Sequence, residues 1–112
     1  MDRIVYKVMS EAEHQQMQRD GVFRGSPVDI ADGYIHLSCG SQLAATLDKH
    51  FRGAEELILV AVDLWRLGDT VRWEAARGGE LFPHIYGRLP IEAVVSVTPV
   101  ERATDGSVTL PS

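Results

Sequence analysis

The chain has 112 residues, 45% of them apolar and 24% charged, the composition of one ordinary globular domain with a single core. Its net charge of -5 excludes a protein that grips duplex nucleic acid through a broad basic face, because that binding depends on neutralising several phosphates. The single cysteine, Cys39, excludes an internal disulfide, no Cys/His spacing resembles a zinc module, and "MDRIVYKV" at the start lacks the apolar length of a signal peptide or membrane helix, so a cytoplasmic protein is expected.

Residues 3–9, "RIVYKVM", are β-branched and aromatic and alternate, which predicts a strand with Ile4, Tyr6 and Val8 opposite Val5, Lys7 and Met9. Ser10 and Glu13 then have capping-box spacing and Gly21 offers a left-handed stop, predicting a helix over 11–20. In "GVFRGSPVDIADG" the spacing of Gly25, Pro27 and Gly33 reads as a short extended piece followed by an irregular loop. "YIHLSC" follows as a strand, with Tyr34, His36 and Ser38 on one side and Ile35, Leu37 and Cys39 on the other.

Leu43, Leu47 and Phe51 recur at intervals of four between Ser41 and Gly53, the pattern of an amphipathic helix. Leu57 to Val62 is apolar throughout, as in a strand covered on both faces. "TVRWE" alternates as another strand, "AARGGELFPH" reads as a loop from its Gly-Gly and Phe-Pro steps, and "HIYGRLP" and "AVVSVTPV" read as two more strands joined by a turn around Pro90. Residues 1–100 therefore form one domain, and 101–112 a tail whose Asp-Gly signal allows a terminal hairpin. Five or six short strands with two helices in the N-terminal half predict an α+β fold with a mostly antiparallel sheet system.

Two polar segments stand out. On the first, His36 shares a strand face with Tyr34 and Ser38, so a ligand crossing that face would meet an aromatic platform, donors and acceptors together. The alternative is that His36 and Ser38 are satisfied by hydrogen bonds under the preceding loop. The second crowds Arg72, Glu74, Arg77, Glu80, His84 and Tyr86 around a glycine-bearing loop, where His84 and Tyr86 would oppose His36 across a cleft. No metal is expected, since neither histidine nor Glu74 lies in a ligand motif, and Cys39 falls on the apolar face as a buried inert thiol. His14 and His50 read as ordinary exposed helix residues, and no phosphate-binding glycine loop is present.

The blocks "DGYIHLS" and "GGELFPHIYG", set in a pattern running from about residue 4 to 100, resemble the bacterial domain-of-unknown-function 952 family. The resemblance implies an ADP-ribosylation-like fold, two sheets meeting at a cleft, with no established activity. More distantly, "IHLS" is similar to the "HVHLS" strand of RNA 2'-phosphotransferases, which use NAD, and "VYKV" stands where an "LYHG"-like strand serves their NAD site. That likeness implies that His36, Ser38 and Tyr6 belong to a nucleotide cleft, with Lys7 in the place of a histidine and Tyr34 in place of the first histidine of "HVH". In the transferase form of this expectation, Glu74 stabilises the charge that develops on ribose as a nicotinamide bond breaks, and His36 holds a ribose hydroxyl. Tyr6 or Tyr86 stacks on a ring, and Arg77 or Lys7 meets phosphate. The alternatives are a non-catalytic pocket for a small anionic ligand, in a monomer or a homodimer, and a protein-interaction module.

Overall fold

The computed structural model describes residues 2–51, 53–54 and 56–101. Strand β1 (Ile4–Ser10) runs directly into helix α1 (Glu11–Asp20), because Ser10 both ends the strand and caps the helix. Ser10 Oγ accepts from the Glu13 N–H at 3.1 Å while the Glu13 carboxylate accepts from the Ser10 N–H at 2.8 Å, the reciprocal pair that their spacing predicts. The chain continues through β2 (Val22–Phe23), α2 (Pro27–Asp32) and β3 (Ile35–His36), then a tight turn at Gly40–Gln42 leads into α3 (Leu43–His50). Five further strands follow: β4 (Leu57–Asp63), β5 (Val71–Ala75), β6 (Leu81–Ile85), β7 (Leu89–Pro90) and β8 (Val94–Pro99).

Every ladder among the described residues is antiparallel, in the orders β1-β4-β8, β3-β6-β5 and β2-β7. The fold is thus α+β with antiparallel sheets and few helices. Beyond the named strands, Tyr6 and Ser38 form an isolated bridge, Tyr6 N–H to Ser38 O at 2.8 Å and Ser38 N–H to Tyr6 O at 2.9 Å, which joins β1 to the extended chain after β3.

Three expectations need correction. The stretch 21–33 holds a helix rather than an irregular loop, so there are three α-helices in the N-terminal half, not two: Pro27 is the first residue of α2 and Gly33, at φ 88°, is its left-handed cap. Proline lacks only an N–H that a first turn leaves unpaired anyway, so here it starts a helix instead of breaking one. The segment 75–84 is not a loop throughout, because β6 takes up Leu81–Ile85 and Pro83 sits within the middle strand of its sheet. Its carbonyl still accepts from the Leu37 N–H at 3.0 Å, which keeps the neighbouring chain in register. Finally, Pro90 is paired with Val22, and the turn lies after it at Ile91–Ala93. The expected terminal hairpin falls on residues 102–112, outside the described residues.

The core follows from strand alternation. Val5 and Met9 on β1 face the same side as Ile58, Val60 and Val62 on β4, packing with Ile35, Leu37, Ile85 and Leu89. The other side carries Val8, Leu57 and Leu59, closed by Leu43 and Leu47 of α3. Strand β4 is therefore covered on both faces, as its unbroken apolar run predicts. Among the described residues, no helix is long and apolar enough to cross a membrane. Because Leu43 is wholly buried, Leu43→Ala is expected to destabilise the fold by about 2–5 kcal/mol, read as a lower urea midpoint. Exposed Gln15→Ala on α1 is expected to stay within about 0.5 kcal/mol of the parent.

Candidate functional site

Alternation along β1 places Lys7 between Val5 and Met9 on the core side, opposite Val60, where it is only 5% exposed. A buried ammonium requires a counter-charge and hydrogen-bond acceptors. Helix α2 supplies them. Asp29 Oδ2 lies 2.8 Å from Lys7 Nζ and accepts from the Ser26 N–H at 2.9 Å. Asp29 Oδ1 accepts from the His36 N–H at 3.1 Å and lies 2.6 Å from His36 Nδ1. Lys7 completes the ring by donating to the His36 carbonyl at 3.1 Å. Burial by itself would push the Asp29 carboxyl up, but the His36 hydrogen bond and the Lys7 charge outweigh it and hold the group well below the usual carboxylate range. Gly25 allows this approach: at φ 120° a side chain is strained, and a Cβ there would stand 3.0 Å from that of Asp29.

His36 turns its other ring nitrogen to Asp32, with Nε2 3.0 Å from Oδ2, so α2 grips the imidazole from both ends. Ser38 is buried and its hydroxyl pairs with that of Thr46 at 2.9 Å. The hydrogen bonds foreseen for His36 under the preceding chain are therefore present, made by helix α2 rather than a loop, whereas the partner of Ser38 lies on α3, which follows it.

The second polar segment reaches the same place by strand pairing. His36 is the direct partner of His84 across β3 and β6, with ring centroids 5.3 Å apart. The Tyr34 ring stacks on His84 at 4.2 Å and also contacts His36 at 4.7 Å and Tyr86 at 5.2 Å. His84 Nδ1 lies 2.8 Å from Glu74 Oε1, and the Tyr86 hydroxyl donates to that same oxygen at 2.8 Å. Hydrogen bonds from His84 and Tyr86 hold the Glu74 carboxyl below its ordinary range, while the carboxylate raises the Tyr86 phenol. The Arg72 guanidinium lies 5.5 Å above the Tyr86 ring. The two segments converge, but as neighbours on one sheet, which corrects the expectation that His84 and Tyr86 face His36 across a cleft. The physical reason is that 81–85 is a strand paired to β3, so the two histidines are cross-strand partners.

A pocket of about 670 Å³ opens beside this cluster, lined from β1, α2, β3, α3 and β6. Of the residues singled out in the sequence, Tyr6, Lys7, His36, Ser38 and His84 line it. Tyr34, Glu74 and Tyr86 lie outside its lining, behind or beside the histidines. The side chain of Arg77 is outside the described residues. Sequence reasoning missed Asp29, Thr46, Lys49, His50 and Phe51, all in the lining. Asp29 had a usable signal, since Ser26 and Asp29 repeat the spacing of Ser10 and Glu13. Cys39 is buried, and burial, reinforced by Asp2, pushes its thiol up to about 11, consistent with an inert residue. Among the described residues, no group of three potential ligands could hold a metal ion.

Because the Asp29 pKa is depressed by folding, its stabilising contribution is complete above the unfolded value of about 4 and fades as pH falls toward the native value. Asp29→Asn strands the buried Lys7 charge and is expected to cost about 3–5 kcal/mol at neutral pH. Urea unfolding of both proteins between neutral pH and pH of about 3 checks this: the gap should hold above about pH 5 and narrow below about pH 4.

A family model described as "Protein of unknown function (DUF952)" matches residues 8–97. Among solved structures, the X-ray structure of protein CC0527 from Caulobacter crescentus is 42% identical, with 95% of this chain and 93% of that chain covered and a TM-score of 0.90. The solution NMR structure of CC0527 is 43% identical, covers 96% of this chain and 91% of that chain, and has a TM-score of 0.83. No curated protein matches the chain. With the family model spanning most of its length, from β1 to β8, the chain belongs to the DUF952 family.

Proposed function

We propose that the protein binds a small nucleotide-like ligand in the pocket between β1, α2 and α3. The observation that carries this reading is the pocket's combination of size and lining. About 670 Å³ is within the range of small-molecule sites, roughly 300–1,000 Å³. Its walls include Tyr6, Phe51 and Phe82, which offer rings and apolar surface to a base, and Lys49 at the end of α3 offers an exposed cation to a phosphate. Lys7 contributes less directly than the sequence led us to expect. Two of its three N–H donors are engaged by Asp29 and the His36 carbonyl, so it is chiefly the counter-charge of the site.

In this reading the fold is ADP-ribosylation-like, the two three-stranded sheets meeting at the Tyr6–Ser38 bridge. The position of Glu74 favours binding over ribosyl transfer, because its carboxylate serves His84 and Tyr86 and is not in the lining. His36 contributes by shaping the polar end of the pocket rather than by offering a free nitrogen, since Asp29 and Asp32 engage both of its ring nitrogens.

A panel of adenine and nicotinamide nucleotides tested by thermal shift checks the proposal. A ligand at 100 times its Kd should stabilise the native state by about 2.7 kcal/mol, and Lys49→Glu should weaken the shift tenfold or more in concentration while leaving the unliganded melting temperature nearly unchanged. No shift from any nucleotide at millimolar concentration would count against the reading.

A further inference from the structure

We propose that His84 is a proton acceptor for a hydroxyl group of the pocket's ligand, and that Glu74 is the residue that positions it. The inference rests on the binding reading above and goes beyond it in assigning chemistry. His84 is 3% exposed, yet it is among the residues that line the pocket, and among the described residues only one of its ring nitrogens is engaged. Nδ1 faces Glu74 Oε1 at 2.8 Å, while Nε2 has no hydrogen-bond partner among the described residues. No enclosed side-chain nitrogen or oxygen among those residues lacks a partner, so Nε2 is not sealed in, and we take its opening to be the pocket that His84 lines.

A carboxylate at Nδ1 fixes the tautomer of a neutral imidazole, because a carboxylate can only accept: Nδ1 carries the hydrogen and Nε2 keeps its lone pair. Two further contacts hold this arrangement in place. The Tyr86 hydroxyl donates to the same Glu74 oxygen at 2.8 Å, and the Tyr34 ring stacks flat against the imidazole at 4.2 Å with 24° between planes. Orientation of a base by a second hydrogen-bonded group is what efficient proton transfer requires. His36, its cross-strand partner, contrasts with it, since carboxylates face both of its nitrogens. The step is simple in balance: the ligand's O–H bond breaks, an N–H bond forms at His84 Nε2, and the positive charge on the ring is met by Glu74. The ligand class is a hydroxyl-bearing nucleotide, whose oxygen keeps the electron pair of the broken O–H bond.

The test is nitrogen-15 NMR of the histidine rings in the full chain, with AMP as the probe. The expected result is a His84 ring protonated at Nδ1 and bare at Nε2, with the Nε2 signal moving on AMP addition together with signals from Tyr6 and Phe51. In Glu74→Ala the ring should lose its Nδ1–H preference, and Glu74→Gln, whose carbonyl still accepts, should restore it. A His84 protonated at Nε2 in the parent, or a tautomer indifferent to Glu74→Ala in a variant with a dispersed folded spectrum, would overturn the proposal. If Tyr6 and Phe51 respond to AMP and His84 Nε2 does not, the acid–base role falls and the binding reading stands. If no pocket signal responds to AMP, both fall together.

Discussion

One buried ion pair organises this molecule. Strand alternation forces Lys7 into the core row of β1, between two apolar residues that belong there. The fold meets that demand with the carboxylate of Asp29, which is 2% exposed and reaches Lys7, His36 and the Ser26 backbone together. Such a pair contributes little net stability compared with a well-packed apolar replacement, but it is costly to break from either side. Its role is geometric. By anchoring α2 against β1, it fixes where the chain enters β3 and therefore where His36 and Ser38 stand.

From that anchor the rest of the site follows by pairing. Once His36 is fixed, the β3–β6 register makes His84 its neighbour, and the β5–β6 register brings Glu74 and Arg72 alongside. The Tyr34 ring then touches those of His36, His84 and Tyr86, and the two imidazoles meet edge to face. Aromatic clusters of this kind combine buried area with preferred edge and offset geometries, which helps hold each ring in one orientation. Polar groups supplied by strands in register are held more firmly than the same groups on a loop would be.

Much of this was legible in the sequence, and the failures have physical causes. The Ser10/Glu13 box, the two-sided burial of Leu57–Val62, and the split of "YIHLSC" into an apolar and a polar side all follow from periodicity and appear in the structure. The errors came from proline and glycine, whose meaning depends on position. Pro27 and Gly33 start and stop α2, and Pro83 is accommodated inside a strand through its carbonyl. Reading them as breakers hid the helix that carries Asp29, and with it the partner of Lys7. The convergence of the two polar segments was anticipated, but their side-by-side relation depends on strand order, which no local pattern encodes. The α3 residues of the pocket were hidden for a different reason: on a helix wheel Lys49 and His50 belong to the solvent side, and only tertiary placement turns that side toward a concavity.

The bridge between Tyr6 and Ser38 has a consequence for motion. Among the described residues, the backbone seam between β1 and the chain after β3 is a single stitch of two hydrogen bonds, at 2.8 and 2.9 Å, beside long ladders within each sheet. Local opening concentrates where few backbone bonds must be given up. Parting that stitch gives up only those two backbone hydrogen bonds and leaves both ladders whole. Along the seam that Tyr6 and Ser38 share with the cavity wall, backbone bonding is therefore thinnest, and the buried ion pair and shared core carry the joining of the sheets.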